Sequence, residues 1–224
     1  MMKHNSLKLL TKTFPMGIFS SGEAQEIGVS RRVLSYLVAR GHITRLRRGV
    51  YELSEPSQGF YQGKDIAFYD LAKCARSLSP KAFISHISAL EYWGLTNEFS
   101  RGFHISFPNN FSLPEDEQII GYRPIDTRTG VVKRKIAGFS VRISSKERAV
   151  VEAFKKFDRD TRVESLRLYF EEKDPKIEQL LRVARKLDCP KLLKYIRSLY
   201  IHHTTDNPKV SKKQIEKMIQ KEYI

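Results

Sequence analysis

The stretch Ser20–Leu53 constrains the fold of this 224-residue chain more than any other, because helix starts, helix stops and apolar periodicity follow one another there in a single order. Ser20 and Glu23 stand at capping-box spacing, so a hydroxyl and a carboxylate can serve the unpaired amides of a helix start, with Ala24 and Ile27 on its apolar side. Gly28 ends that helix. Ser30 is placed to cap a second one, in which Val33, Leu34, Leu37 and Val38 recur on one face and Arg31, Arg32, Ser35, Tyr36 and Arg40 point outward. Gly41 closes it, and Ile43, Leu46, Val50 and Tyr51 supply the buried positions of two strands that turn at Arg48 and Gly49. Helix, turn, helix and hairpin in this order predict a winged helix-turn-helix whose wing carries Arg45, Arg47 and Arg48.

The outward residues are basic, hydroxylic or aromatic, the types that reach phosphates and base edges when a helix enters a major groove. The competing reading is a solvated basic face on an ordinary helical domain. Periodicity, capping, turn and hairpin all agree on one architecture, which favours double-stranded DNA as partner, read by Arg31 and Arg32 and gripped by Arg45, Arg47 and Arg48. Operators for such modules are usually repeated half-sites.

Net charge points the same way. Forty Lys and Arg against 25 Asp and Glu leave +15, an excess that favours a polyanionic partner through counterion release. Residues 1–53 hold nine basic and three acidic side chains, so under a quarter of the chain carries +6. No stretch is apolar for long enough to span a bilayer, and Lys12 interrupts the one run, Leu9–Phe19, that resembles a signal-peptide core. A cytoplasmic protein is expected. Cys74 and Cys189 lack Cys or His neighbours at metal spacing and read as buried thiols, with no metal or cofactor implied.

Beyond Leu53 the chain is long enough for a second domain. Ser54–Gly63 reads as a linker. A helix over 64–77, a strand near 82–84, a helix over 86–93 and strands over 102–107 and 118–122 follow. Then come 131–136 and 139–143, paired about a two-residue turn at Ala137 and Gly138. After Ser145 the pattern is helical, with Pro190 opening the last helix before a second linker at 204–210. Ser211 and Gln214 then start a basic terminal helix. The expected fold class is α+β: a winged helix-turn-helix at 1–55, a mixed α/β domain ending in a helical bundle at 64–203, and a tail helix at 204–224.

Three segments together resemble the AbiEi family of antitoxins, which are also transcriptional repressors of type IV toxin-antitoxin operons. They are the helix-turn-helix ending in the run from Gly41 to Leu53; Ile84-Ser85-His86-Ile87-Ser88-Ala89-Leu90 continuing to Gly94 and Leu95; and Ser145-Lys146-Glu147-Arg148-Ala149-Val150-Val151 at the head of a helix. The resemblance implies repression of the chain's own operon and neutralisation of a toxin with a nucleotidyltransferase fold. It carries over no short neutralising motif. In the second and third segments Ala89 and Leu90 read as core and Glu147 as a helix-dipole residue.

Catalysis has little support. Glu171 and Lys173 form a Glu-x-Lys pair at a helix end instead of on a strand beside a second acid, the run Glu115, Asp116, Glu117 reads as a solvated loop, and His202 and His203 lack a fixed partner. Lys133, Arg134 and Lys135 form a second basic cluster on one strand, with Lys133 and Lys135 on one face. It reads equally as edge protection or as an auxiliary nucleic-acid contact. The open classes are a repressor-antitoxin, a stand-alone winged-helix regulator and a metal-dependent nuclease.

Overall fold

The structure is a computed structural model and describes residues 2–55, 67–108 and 118–202. Of the expected features, 56–66 of the linker and the following helix start, the acidic run at 115–117, His203 and the linker and helix beyond 203 lie outside the described residues.

The amino-terminal part opens with a helix that the sequence reading did not assign, α1 (Met2–Thr13), followed by a short strand β1 (Ile18–Ser20). Then come α2 (Ser21–Glu26), α3 (Arg31–Ala39) and the hairpin β2 (Ile43–Arg47) and β3 (Val50–Leu53). The strands form an antiparallel sheet in the order β1-β3-β2. Leu10, Phe19, Ala24, Val29, Leu34, Leu37, Ile43 and Leu53 close over its small core, so α1 and β1 are bound in by burial of Leu10 and Phe19. Leu46 is the extra residue of a bulge in β2, and its side chain packs against the larger core.

The rest is built on a five-stranded mixed sheet. Its elements are α4 (Tyr69–Leu78), β4 (Phe83–Ile84), α5 (His86–Trp93), β5 (Phe103–Ser106), β6 (Ile119–Tyr122), β7 (Val131–Ile136) and β8 (Phe139–Ser144). They are followed by α6 (Lys146–Lys156), α7 (Arg159–Glu171), α8 (Ile177–Lys186) and α9 (Pro190–His202). The strand order is β6-β5-β4-β8-β7. The turn joining β7 to β8 has positive φ at both Ala137 (44°) and Gly138 (85°), the conformation that matches the twist of a two-residue hairpin. Helix α4 touches both sheets, and its Leu71, Ala72, Ala75 and Leu78 share one core with Ile18 and Val50. Helix α6 packs against α5, α7, α8 and α9.

Candidate nucleic-acid interface

Helix α3 begins where expected, because Ser30 accepts the Val33 N–H at 3.4 Å, and Gly28 at φ 83° makes the turn that leads in from α2. Ser20 and Glu23 form the predicted capping box: Ser20 N–H donates to Glu23 Oε2 at 2.8 Å and Glu23 N–H to Ser20 Oγ at 3.2 Å. The Glu23 carboxylate also takes Arg76 of α4, so the start of α2 is tied to the larger core.

The burial of Leu34 and Leu37 turns Arg31, Arg32, Ser35 and Arg40 to solvent. Ser35 Oγ donates back to Arg31 O at 3.1 Å, and the Arg40 guanidinium lies 5.6 Å from the Tyr36 ring centroid. Tyr36 departs from expectation: it is half-buried, its ring packed on the small core. On the hairpin Arg45 and Arg48 are exposed, whereas Arg47 is half-buried, since the bulge at Leu46 breaks simple alternation. Among the described residues, Arg31, Arg32, Arg40, Arg45 and Arg48 take part in none of the ion pairs. A row of uncompensated cations thus spans α3 and the hairpin.

Lys133, Arg134 and Lys135 lie on β7, an edge strand, with Lys133 and Lys135 on one face and Arg134 on the other. Arg134 sits 5.5 Å from the Trp93 ring centroid, and Lys133 lines a cleft beside Arg142.

A second constellation was invisible to sequence reasoning. Segments 84–90 and 145–151 meet in one buried polar hub at the start of α5 and α6. The Arg148 guanidinium, 1% exposed, donates from Nε to Glu152 Oε1 at 2.7 Å, from Nη1 to Thr129 O at 2.6 Å and from Nη2 to Asp126 O at 2.9 Å. It also lies 4.6 Å from the centroid of Phe83. Gly130 permits this approach, because a Cβ there would stand 2.8 Å from Arg148 Cβ and its φ is 65°. Glu152 Oε2 accepts from His86 N at 3.0 Å and from Ser144 Oγ at 2.9 Å. His86 Nδ1 is hydrogen-bonded to Ser85 Oγ at 2.9 Å, and Ser106 Oγ donates to Ser85 Oγ at 2.9 Å. The His86 ring stacks on Tyr122 with centroids 3.5 Å apart, and Tyr122 OH is hydrogen-bonded to His104 Nδ1 at 2.8 Å.

Burial, only partly opposed for His86 by the Glu152 charge, pushes both imidazoles down to about 4, and burial pushes the Tyr122 phenol up to about 12. Glu147 stands in the first turn of α6, as read from the sequence, and is also buried, accepting from Ser145 Oγ at 2.7 Å and Tyr169 OH at 3.3 Å. The Arg148–Glu152 pair is hydrogen-bonded on both sides, which is what an ion pair needs to be retained in a core.

Cys189 is buried and Cys74 half-buried. Glu171 pairs with Arg167 at the end of α7. Among the described residues no group of three or more His, Cys, Asp or Glu is placed to hold a metal ion, and no helix is long and apolar enough to cross a membrane.

The amino-terminal geometry is that of a helix-turn-helix unit with a basic exposed helix, set in a mixed α+β chain. Residues 16–54 match the model of a family described as transcriptional regulator, AbiEi antitoxin, so the resemblance read from the sequence holds over this segment. The match takes in β1, α2, α3 and both hairpin strands and stops before the hub. The chain is also similar to the crystal structure of the RV2827C protein from Mycobacterium tuberculosis, with 16% identity, a TM-score of 0.42, and 80% of this chain and 69% of that chain covered. No curated protein matches it.

Proposed function

We propose that this chain is a sequence-specific DNA-binding repressor and antitoxin of a type IV toxin-antitoxin system, autoregulating its operon and counteracting a nucleotidyltransferase toxin. The observation that carries this reading is the coincidence of the family match at 16–54 with the uncompensated arginines of α3 and the hairpin. In this reading residues 1–55 are a winged helix-turn-helix domain, 64–203 the domain that carries antitoxin activity, and 204–224 a basic tail. The protein works in the cytoplasm and is not an enzyme.

Helix α3 enters the major groove with Arg31, Arg32 and Ser35 at base edges and Tyr36 and Arg40 farther along. Arg45, Arg47 and Arg48 contact the phosphate backbone or the adjacent minor groove. Lys133, Arg134 and Lys135 on β7 protect a sheet edge or add an auxiliary nucleic-acid contact in this reading. The test is fluorescence anisotropy with the duplex upstream of the chain's own gene, against a scrambled duplex at the same salt, together with co-expression with the adjacent open reading frame. Preferential binding of the upstream duplex and relief of the neighbour's growth arrest are expected. Equal affinity for both duplexes would end the repressor reading, and unrelieved arrest the antitoxin one.

A further inference from the structure

Where α2, the end of α4 and the β7–β8 hairpin meet, a cleft of about 150 Å³ is lined by Glu23, Arg76, Lys133, Ser140 and Arg142. Three cations face one carboxylate there. That carboxylate is already engaged, since Glu23 Oε2 accepts from Ser20 N at 2.8 Å, from Ser20 Oγ at 2.7 Å and from Arg76. Arg142 is held rigidly, its Nη1 donating to Lys81 O and its Nη2 to Thr127 O, both at 2.7 Å. A guanidinium carries five N–H donors, so those two bonds leave three, at Nε and one on each Nη. The Lys133 ammonium has no hydrogen-bond or ion-pair partner among the described residues.

Lys133 and Arg142 are also directly opposite each other in the ladder between β7 and β8. Like charges at opposed positions repel and destabilise a pair of strands unless something neutralises them. Ser140, two residues along β8 on the same face, adds an exposed hydroxyl. We propose that this cleft binds a small tetrahedral oxyanion of the phosphate type, held by Lys133, Arg142 and Ser140, with Glu23 held off the anion by its pairing with Arg76. Such an anion draws hydrogen bonds from several donors at once, and a guanidinium meets it with two parallel ones. Because α2 and α4 form one wall and the hairpin the other, occupancy links the helix-turn-helix to the larger sheet. The inference does not rest on the DNA-binding reading, since Lys133 and Arg142 lie outside α3 and the β2–β3 hairpin.

The test is thermal unfolding of the full chain in inorganic phosphate against sodium chloride at matched ionic strength. Ligand that binds only the folded state raises Tm by mass action. The wild type should gain a few degrees in phosphate over chloride. Lys133→Ala and Ser140→Ala should each lose most of that gain, and Lys133→Ala in chloride should melt no lower than wild type because an opposed like charge is gone. Both positions are exposed on a hairpin, so folding is preserved. Equal melting of the wild type in the two salts overturns the proposal, as does a phosphate gain that survives Lys133→Ala. A third arm measures a random duplex: if Lys133→Ala weakens it while phosphate gives the wild type no gain, the phosphates served are those of DNA and the cleft is not a free-anion site.

Discussion

Glu152 of α6 accepts the backbone N–H of His86, the first residue of α5, at 3.0 Å, across 66 residues of sequence. The same carboxylate takes Arg148 Nε and Ser144 Oγ, so one acid joins two helix starts and a central strand. Removing it strands a buried guanidinium. Breaking a buried pair from one side costs about 3–5 kcal/mol, a large share of the ~5–15 kcal/mol that holds a domain folded. Glu152→Ala should therefore lower the urea midpoint severely, and Glu152→Gln, which keeps an acceptor for the His86 amide, less so. A loss below about 1 kcal/mol for the alanine variant would refute a structural role for the hub.

His86 holds φ at 54°, in the left-handed region that costs a side-chain-bearing residue about 1–2 kcal/mol. Its stacking on Tyr122 and bond to Ser85 sustain that conformation. Once those contacts are removed, backbone freedom alone should decide. His86→Gly is accordingly expected to be more stable than His86→Ala by about 1 kcal/mol, the reverse of the usual order at a helix position. Equal midpoints for the two variants would contradict the assigned strain.

Acid sensitivity should begin early. Both His86 and His104 are held down to about 4, chiefly by burial, while in the unfolded chain they titrate near their usual value of 6.5. Between those limits the unfolded state binds more protons, so stability is complete above pH ~6.5 and declines as pH falls toward about 4. The groups facing His86 are Glu152, Arg148 and Lys156, and His86 itself faces His104. Glu23, Asp126 and Glu164, all lowered carboxylates, add their losses only at more acid pH. Denaturation midpoints of His104→Gln should fall less steeply than those of wild type from pH 7 to pH 5. Parallel curves would count against burial of a neutral imidazole.

On the proposed DNA face the two classes of arginine separate by salt and sequence. Arg31→Ala or Arg32→Ala should cost on the order of 1–3 kcal/mol at the cognate duplex and relax preference. Arg45→Ala or Arg48→Ala should weaken cognate and random duplexes alike and reduce the log–log salt slope by about 1. Anisotropy titrations at several salt concentrations check both. If all four substitutions changed cognate and random binding equally, the division between reading and gripping would be wrong.

Ala137 offers a stabilising change. It is the first of two positive-φ residues in the β7–β8 turn, at 44°, a position that favours asparagine. Ala137→Asn should raise stability by about 0.5–1 kcal/mol, read as a higher Tm with the fold unchanged. A fall in Tm would show that the half-buried site has no room for the amide.

The elements legible in the sequence are those whose signals are local. Ser20 with Glu23, Ser30 with Val33, and Ala137 with Gly138 act within one turn of chain, and each performs its predicted task in the structure. Helix α1 and strand β1 were not legible, because the run Leu9–Phe19 mixes the end of a helix, a turn and a strand whose burial depends on distant partners such as Tyr51 and Leu53. Tyr36 and Arg47 are half-buried for a related reason. A ring at the margin of a small core and a bulge at Leu46 are decided by packing against other elements.

Local order along the chain, meaning helix caps, glycine turns, the apolar seam of α3 and the excess of arginine at the amino end, was determined by the sequence alone, since neighbouring residues set backbone choice through short hydrogen bonds and side-chain spacing. Tertiary structure alone decided that Ser85 and His86 meet Arg148 and Glu152, that Lys133 stands opposite Arg142 beside Arg76, and that α4 joins the two sheets. These contacts join residues dozens of positions apart, whose partners are chosen by burial and charge pairing once the sheets have assembled.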